Sequence, residues 1–274
     1  MTLLTLNTHS LHGKDTERAL DALCASLAEL CPHVIALQEV NQTRNAPLYG
    51  GAIPSGFRFC HDEVLLRDDH FGVRLLARLA KTGISYAWSW LPVKVGYGRF
   101  DEGLMTLCRF PIAEVRSVRL SQTNNYEDWR RRAALLVRPE GTDTWFVNLH
   151  TARWEDRQEP FARQWRRLTE ALPRNAAVWL MGDFNNPAHR RGEGYDLVAS
   201  EGFLDCYAAA KHREGENTVP CAIDGWRDGN RALRIDQIWC NRSADVSSVR
   251  VLFDGRNSPV LSDHFGVLAE IGGM

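Results

Sequence analysis

Asp183 and Asn185 lie two residues apart, directly after the apolar run from Ala177 to Met181. A short apolar run that ends at a glycine is typical of a buried β-strand, so Gly182 is predicted to mark the end of that strand. On one side of an extended segment, a carboxylate can take a proton from a water molecule that a neighbouring amide orients. This chemistry suits the hydrolysis of an unreactive ester. The alternative is an Asx turn, in which the same two residues only close a loop.

Other predicted strands also carry, at or near their ends, polar residues that could take part in such a reaction. These residues are Asn7, Glu39, His150, Asp236, Asp263 and His264. In layered α/β proteins, functional side chains gather where strands end and loops begin. We therefore expect the whole set to form one site at one edge of the protein.

In this order along the chain, these positions resemble the endonuclease/exonuclease/phosphatase superfamily of metal-dependent phosphoesterases. The resemblance extends from end to end and implies a deoxyribonuclease-like α/β fold, a four-layer α/β sandwich in which two packed mixed sheets are flanked by helices. No linker, low-complexity tract or long charge run divides the sequence, so residues 1–274 are predicted to form a single domain. The resemblance also implies a divalent cation, Mg²⁺ or Mn²⁺, because both ions accept the oxygen ligands on offer.

The resemblance further implies which residues bind the metal and which deliver the water. Glu39, Asn7 and Asp263 correspond to the metal side of the site. Asp183 corresponds to the base that activates the attacking water, and Asn185 to the amide that orients water or phosphate. For Glu39 the structural alternative is a surface glutamate in a turn, and for Asn7 it is an asparagine that merely ends a strand.

Two histidines complete the predicted site. His264 corresponds to a histidine that stabilises charge on the phosphoryl oxygens or acts as a base, and a paired Asp236 would keep it protonated. His150, oriented by Glu102, corresponds to the general acid that protonates the departing alkoxide. The alternatives are a β-turn at Asp263 and His264, and a hydrogen-bonded core histidine at position 150.

The elements that must position these residues repeat one plan in the two halves of the chain. They are strands at 2–7 and 33–39 around a helix at 16–30, and strands at 145–150 and 177–182 around a helix at 158–171. Apolar residues at helical spacing support both helices, and Pro32 and Pro173 follow them as stop signals. Substrate would be recognised by the loops between elements, which are predicted at 41–63, 94–103, 151–159 and 211–232.

The composition is that of an ordinary globular protein, with 44% hydrophobic and 24% charged residues and a formal net charge of −1. A duplex-binding nuclease often has a basic surface, and no such excess is present here. The seven cysteines form no C-x-x-C pair and indicate neither a zinc site nor a disulfide framework. No apolar run is long enough to span a membrane, and the first residues do not resemble a signal peptide, so the predicted location is cytoplasmic.

The predicted substrate is a small phosphorylated compound, most simply a sugar phosphate. Segments around Gln38, Gly98, Phe184 and Gly225 are similar to a bacterial branch of the superfamily that includes maltose-6′-phosphate phosphatase. Residues of the predicted loops, and one arginine just before the predicted strand 133–137, could hold a phosphate through arginine forks and a sugar ring through aromatic faces. These residues are Arg99, Arg132, Arg153, Trp154 and Trp226. The alternatives are a nuclease that acts on DNA or RNA, and a binding module that has lost the chemistry.

Overall fold

The computed structural model describes residues 1–13, 15–60, 64–220, 232–256 and 258–272. The strands in these ranges form one sheet of seven strands and one of six. None of the described helices is long and apolar enough to pass through a lipid bilayer.

The seven-stranded sheet has both parallel and antiparallel neighbours. In spatial order its strands are β10 (His212–Glu214), β12 (Val246–Leu252), β13 (Gly266–Ile271), β1 (Thr2–Asn7), β2 (Val34–Thr43), β4 (Phe100–Cys108) and β3 (Ala87–Gly96). β1 runs parallel to β2 and β10 runs parallel to β12, whereas the other neighbours are antiparallel.

The six-stranded sheet is mixed in the same way. In spatial order its strands are β5 (Ile112–Arg119), β6 (Ala133–Pro139), β7 (Trp145–His150), β8 (Val178–Asp183), β11 (Asp236–Cys240) and β9 (Leu204–Asp205). β7 and β8 are parallel, and the remaining pairs are antiparallel. The prediction of two mixed sheets is confirmed.

Helices cover the outer face of each sheet. They are α1 (Thr16–Leu30), α2 (Phe71–Lys81), α3 (Phe161–Ala171) and α4 (Gly194–Ser200). The short α5 (Cys206–Ala209) instead packs against the apolar cluster between the sheets. The apolar residues of α1 and α2 share a buried cluster with the seven-stranded sheet, and those of α3 and α4 share one with the six-stranded sheet. A third cluster lies between the two sheets. The layers are thus helix, sheet, sheet and helix, as predicted for the four-layer sandwich.

The duplicated strand–helix–strand plan is present as β1–α1–β2 and β7–α3–β8. The first helix has the predicted bounds, but α3 begins at Phe161, three residues later than predicted. The carboxylate of Asp156 accepts hydrogen bonds from the backbone N–H groups of Gln158 and Glu159 at 2.9 and 2.8 Å. Because this turn uses those groups and Pro160 follows it, the helix starts only after the proline.

Residues 94–103 form a β-hairpin between β3 and β4, so the loop predicted there is wrong. Tyr97 and Gly98 both have positive φ, 52° and 64°, and the N–H of Arg99 bonds to the carbonyl of Gly96 at 3.0 Å. These are the features of the two-residue type I′ turn that joins antiparallel strands. Gly98 therefore belongs to a tight turn between the two strands.

A buried pair of amides links the two sheets. Gln38 of β2 donates from Nε2 to Oδ1 of Asn148 in β7 at 2.7 Å. Asn148 in turn donates to the carbonyl oxygens of Leu37 and Met105, at 3.0 and 2.9 Å. Both amides are inaccessible to solvent or nearly so. This bridge fixes the position of one sheet relative to the other.

Candidate functional site

The predicted metal and catalytic residues meet at one cleft, on the edge where β1, β7 and β8 end. Glu39 was predicted to end its strand, but β2 continues past it to Thr43. The parallel register places Asn7 opposite Gln38 and His150 opposite Asp183, and the antiparallel register places Asp236 opposite Asp183. The cleft has a volume of about 450 Å³. Residues of both sheets line it, so the convergence of the two halves is a property of the fold.

Glu39 reaches the cleft from a β-bulge. The pairing of β2 with β4 shifts register between Leu37 and Val40, and Glu39 has a φ of 51°. The Oγ of Ser10 donates to the carbonyl of Glu39 at 2.7 Å and accepts from the N–H of Asn41 at 3.0 Å, which holds the bulge open. Positive φ is unfavourable for glutamate, by about 1–3 kcal/mol, and such strain is found mostly at functional sites. The bulge turns the carboxylate toward the cleft.

Asn7 connects the carboxylates contributed by the two sheets. Its Nδ2 donates to Oε1 of Glu39 at 2.9 Å and to Oδ2 of Asp183 at 3.3 Å. His9, which was not predicted from the sequence, contacts two carboxylates of the site. Its Nδ1 is 3.3 Å from Oε2 of Glu39 and 3.7 Å from Oδ1 of Asp263. The only sequence signal for His9 was its position two residues after Asn7.

Hydrogen bonds keep Glu39 ionised. Burial alone would raise the pKa of its carboxyl group, but the hydrogen bond and the charge of His9, together with the hydrogen bond from Asn7, outweigh burial and lower it. Glu39 therefore presents a carboxylate to the cleft throughout the physiological pH range.

Asp183 lies at the centre of the site and is 1% exposed. Its Oδ1 accepts from the N–H of Asn185 at 2.8 Å, and its Oδ2 is 3.4 Å from Nε2 of His150. Burial, together with the charge of Asp236, raises the pKa of Asp183 to about 7. A carboxyl group with this pKa can exchange a proton near neutral pH, as a general base must.

Gly182 allows β8 to approach β7 at this point. Its φ is 149°, and a Cβ there would lie 1.9 Å from the carbonyl oxygen of Leu149. Only glycine fits, and the close approach brings Asp183 beside His150. The glycine predicted to end the strand is thus part of the strand and shapes the site.

His264 is paired with Asp236 as predicted, with 2.9 Å between Nδ1 and Oδ2. Its Nε2 faces Oδ2 of Asp183 at 3.9 Å. Burial lowers the pKa of His264, but Asp236 and Asp183 outweigh it and raise the pKa to about 10. His264 therefore carries a positive charge at neutral pH, which suits a group that stabilises negative charge.

His150 and Glu102 occupy the opposite side of the cleft. Burial and the nearby Arg132 lower the pKa of His150 well below its usual value, so the free protein holds this histidine neutral. The ion-pair partner of Glu102 is Lys94, with 3.1 Å between Oε1 and Nζ. Lys94 was not predicted from the sequence, because it meets Glu102 only through the pairing of β3 with β4.

The donor set fits a hard divalent cation. One ligand atom from each of Asp183, Asp236 and His264 lies within 4.8 Å of the others. The Oδ1 of Asp236 is buried and has no hydrogen-bond partner among the described residues. The carboxylates of Asp183 and Asp236, with that of Glu39 linked to Asp183 through Asn7, supply the oxygen ligands that Mg²⁺ and Mn²⁺ prefer.

The predicted substrate-binding residues divide into three groups. Arg132 and Arg153 line the cleft, together with Tyr97 and Trp129. Arg99 and Trp154 are not among the residues that line it. Arg99 lies over the ring of Phe100, and Trp154 packs against the apolar cluster of α3, so their placement does not support contact with a substrate in the cleft. Trp226 lies outside the described residues.

Comparisons with known proteins agree with this geometry. The chain is similar to an endonuclease/exonuclease/phosphatase family protein from Leptotrichia buccalis C-1013-b, with 26% identity, full coverage of both chains and a TM-score of 0.85. The mannosyl-6-phosphatase of Bacteroides thetaiotaomicron VPI-5482 has 18% identity, 99% coverage of both chains and a TM-score of 0.65. Truncated Caenorhabditis elegans TDP2 has 17% identity, coverage of 98% of this chain and 96% of its own, and a TM-score of 0.61. These last two similarities concern the fold.

Among curated proteins, none matches the chain. The model of the Endonuclease/Exonuclease/phosphatase family matches residues 4–264, which include all the predicted metal and catalytic residues. Members of this family hydrolyse phosphoester bonds and generally depend on a divalent metal. The chain belongs to the endonuclease/exonuclease/phosphatase family.

Proposed function

We propose that this protein is a divalent-metal-dependent phosphatase that hydrolyses the phosphate monoester of a sugar. The observation that carries the proposal is the hydrogen-bonded link from Glu39 through Asn7 to Asp183, which joins carboxylates of both sheets in one cleft. Asp183 and Asp236 are buried and the side chain of Glu39 is only 12% exposed, and a shared cation is the simplest reason for three acidic side chains to be held with so little contact with solvent.

The metal would be held by Glu39, Asn7 and Asp263, with Asp183 and Asp236 close by. When bound, Mg²⁺ or Mn²⁺ would polarise the phosphoryl group and neutralise part of its charge. Asp263 fits the metal side only loosely, because it is 3.7 Å from His9 and its side chain is 30% exposed.

Asp183 acts as the base in this proposal. Its pKa of about 7 lets it accept a proton from water near neutral pH, and Asn185 follows it closely enough to orient that water. His264, held in the protonated form by Asp236, stabilises the charge that develops on the phosphoryl oxygens.

His150 is proposed as the general acid for the leaving oxygen. The imidazole is neutral in the free protein, and a bound phosphate dianion would add negative charge beside it and raise its pKa. Glu102 supports this region of the cleft through its ion pair with Lys94. The role of acid thus belongs to the substrate-bound state.

The shape and charge of the cleft support a small substrate. A volume of about 450 Å³ suits a sugar phosphate, and binding pockets for small molecules begin at about 300 Å³. Tyr97 and Trp129 line the cleft and are 45% and 54% exposed, so each offers a face to a sugar ring. A duplex would instead require a long basic track, and the formal net charge of the chain is −1.

The alternative is a metal-dependent nuclease, since the family to which the chain belongs also includes endonucleases and exonucleases. A panel assay with Mg²⁺ separates the two functions, using sugar phosphates, plasmid DNA and short RNA as substrates. We expect release of inorganic phosphate from at least one sugar phosphate. Cleavage of DNA or RNA without phosphate release from any sugar phosphate would refute the proposal.

A further inference from the structure

Arg132 is a buried arginine without a carboxylate partner. It is 8% exposed and lines the cleft. Its Nη1 donates to the carbonyl oxygens of Trp129 and Arg131, at 2.7 and 3.1 Å. Its Nε is buried and has no hydrogen-bond partner among the described residues, and no ion pair of its guanidinium is found there either. Leaving a permanent charge buried in this way is costly unless an anion completes the site.

A second buried cation lies beside it. The Nζ of Lys94 forms its ion pair with Glu102 at 3.1 Å, and the two side chains are 11% and 6% exposed. Since His150 is neutral here, Lys94 and Arg132 together exceed the charge of Glu102 by one positive unit. Burial lowers the pKa of Arg132, whereas the nearby carboxylates of Glu102 and Asp183 oppose that shift and favour the charged guanidinium.

The cleft is closed behind these two cations. The space that adjoins the cleft there has a volume of about 10 Å³. It is bounded by Glu39, Lys94, Glu102, Arg132 and His150, which also line the cleft, and by Val93, Gly103, Leu104 and Ala133. Such a space holds about one water molecule. A chain of atoms that entered along the cleft could not continue past this point.

These features discriminate between two kinds of phosphate ester. A terminal phosphate group carries nearly two negative charges at neutral pH and exposes three acceptor oxygens. A phosphodiester carries one charge, has two such oxygens and continues into a second ester chain. An unpaired arginine, a second cation and a closed end fit the terminal group only.

We propose that Lys94 and Arg132 recognise the terminal phosphate dianion and restrict the enzyme to monoesters. This inference rests on the proposed function and names the two side chains that select its substrate class. Arg132 provides the unfilled donors, and Lys94 provides charge and closes the cleft. Neither residue exchanges a proton in this role.

The test compares 4-nitrophenyl phosphate with methyl 4-nitrophenyl phosphate, which release the same leaving group, in the presence of Mg²⁺. We expect Arg132→Gln and Lys94→Met to lower kcat/KM for the monoester by about 10- to 100-fold, as expected for the loss of a charged hydrogen bond. We expect a change of less than about threefold for the diester, so the monoester-to-diester ratio of kcat/KM falls by at least about threefold in Arg132→Gln.

Two exposed residues supply charge-matched controls. Arg166→Met on α3 and Lys81→Met at the end of α2 remove the same charges away from the cleft, and both should keep the wild-type ratio. Lys94→Met combined with Glu102→Gln removes both members of the ion pair. A lower monoester-to-diester ratio of kcat/KM in this double variant therefore cannot come from an unpaired carboxylate at position 102. Circular dichroism and the Tm of each variant establish that it is folded.

Binding provides a readout that is independent of turnover and of any unstable variant. At pH 8, inorganic phosphate should bind the wild-type enzyme at least about tenfold more tightly than dimethyl phosphate, and Arg132→Gln should reduce this difference. Equal binding of the two anions by the wild type, or an unchanged monoester-to-diester ratio in folded Arg132→Gln, would overturn the assignment while leaving a phosphatase in place. A wild-type enzyme that hydrolyses only the diester would instead overturn the proposed function.

Discussion

His70 should make the stability of the fold depend on pH. It is completely buried at the start of α2, where its Nδ1 accepts a hydrogen bond from the N–H of Val73 at 3.1 Å. Its ring meets that of Trp90 edge to face, at 4.5 Å between centroids. Burial lowers the pKa of His70 to about 3. Protonation would therefore place a charge in an apolar site and remove the acceptor that caps the helix.

The sign and size of the effect follow from proton binding. A histidine whose pKa is lower in the folded state binds fewer protons there than in the unfolded chain, so stability falls as the pH drops below about 6.5. With a folded pKa of about 3, a change from pH 7 to pH 5 should lower the free energy of unfolding by about 2 kcal/mol. The full loss, near pH 3, would approach roughly 5 kcal/mol.

Urea unfolding from pH 5 to pH 7.5 measures this contribution as a difference between variants. In His70→Asn the asparagine can still cap α2 but does not titrate, so its stability should change by about 2 kcal/mol less than that of the wild type between pH 7 and pH 5. His212→Asn, at an exposed position on β10, is the control and should retain the wild-type slope. Identical slopes for His70→Asn and the wild type would refute this reasoning.

Four further outcomes are expected. Asp183→Asn should lower turnover by about 100-fold or more, because it removes the base. The same variant should raise the free energy of unfolding at pH 8 without metal, because an ionised Asp183 opposes folding above its raised pKa. A lower stability of this variant in urea would contradict the second expectation. Gly182→Ala should cost about 2–4 kcal/mol in urea unfolding and reduce activity, since its Cβ would strike Leu149. Asn148→Leu should cost about 3 kcal/mol in the same measurement, because it leaves the inter-sheet carbonyls without their donor. EDTA should abolish phosphate release, and added Mg²⁺ or Mn²⁺ should restore it; activity that persists after dialysis against EDTA would exclude a metal requirement.

The strand ends were predictable from the sequence because each combines an apolar run with one polar residue. Asn7, Asp183 and Asp236 occupy the terminal positions of their strands in the structure. The order of these residues along the chain indicated the family, and the family implied the layers of the fold. Helix α1 was predictable in the same way, since its apolar residues follow a single face and Pro32 ends it.

The bulge at Glu39 and the hairpin at 94–103 were not predictable in this way. Register is set by pairing with distant strands, and no local signal in Val34–Val40 reveals that β4 slips past β2 at this point. The glycines of this segment suggest a loop, although the positive φ values of Tyr97 and Gly98 and the pairing of the flanking strands make a turn. The sequence did not indicate Lys94, because its place opposite Glu102 depends on the pairing of β3 with β4.

Side-chain direction separates the predicted substrate-binding residues that line the cleft from those that do not. Arg153 and Trp154 are adjacent, yet one lines the cleft and the other packs against the cluster of α3. Likewise Arg99 lies over the ring of Phe100, whereas Arg132, which directly precedes β6, lines the cleft. Loop composition identifies the types of residue that could bind a sugar phosphate, but it contains no information about which side they face.

The bridge between the sheets explains why stability and activity should change together in this protein. Gln38 immediately precedes Glu39, and Asn148 lies two residues before His150, so the amide pair lies directly beneath the cleft. Each sheet supplies half of the site, and its geometry therefore depends on how the sheets are aligned. An apolar core alone tolerates small shifts, since its contacts are not directional, whereas a buried hydrogen bond permits one arrangement. Loss of this bridge should consequently loosen the link between Glu39 and Asp183 before it unfolds the chain.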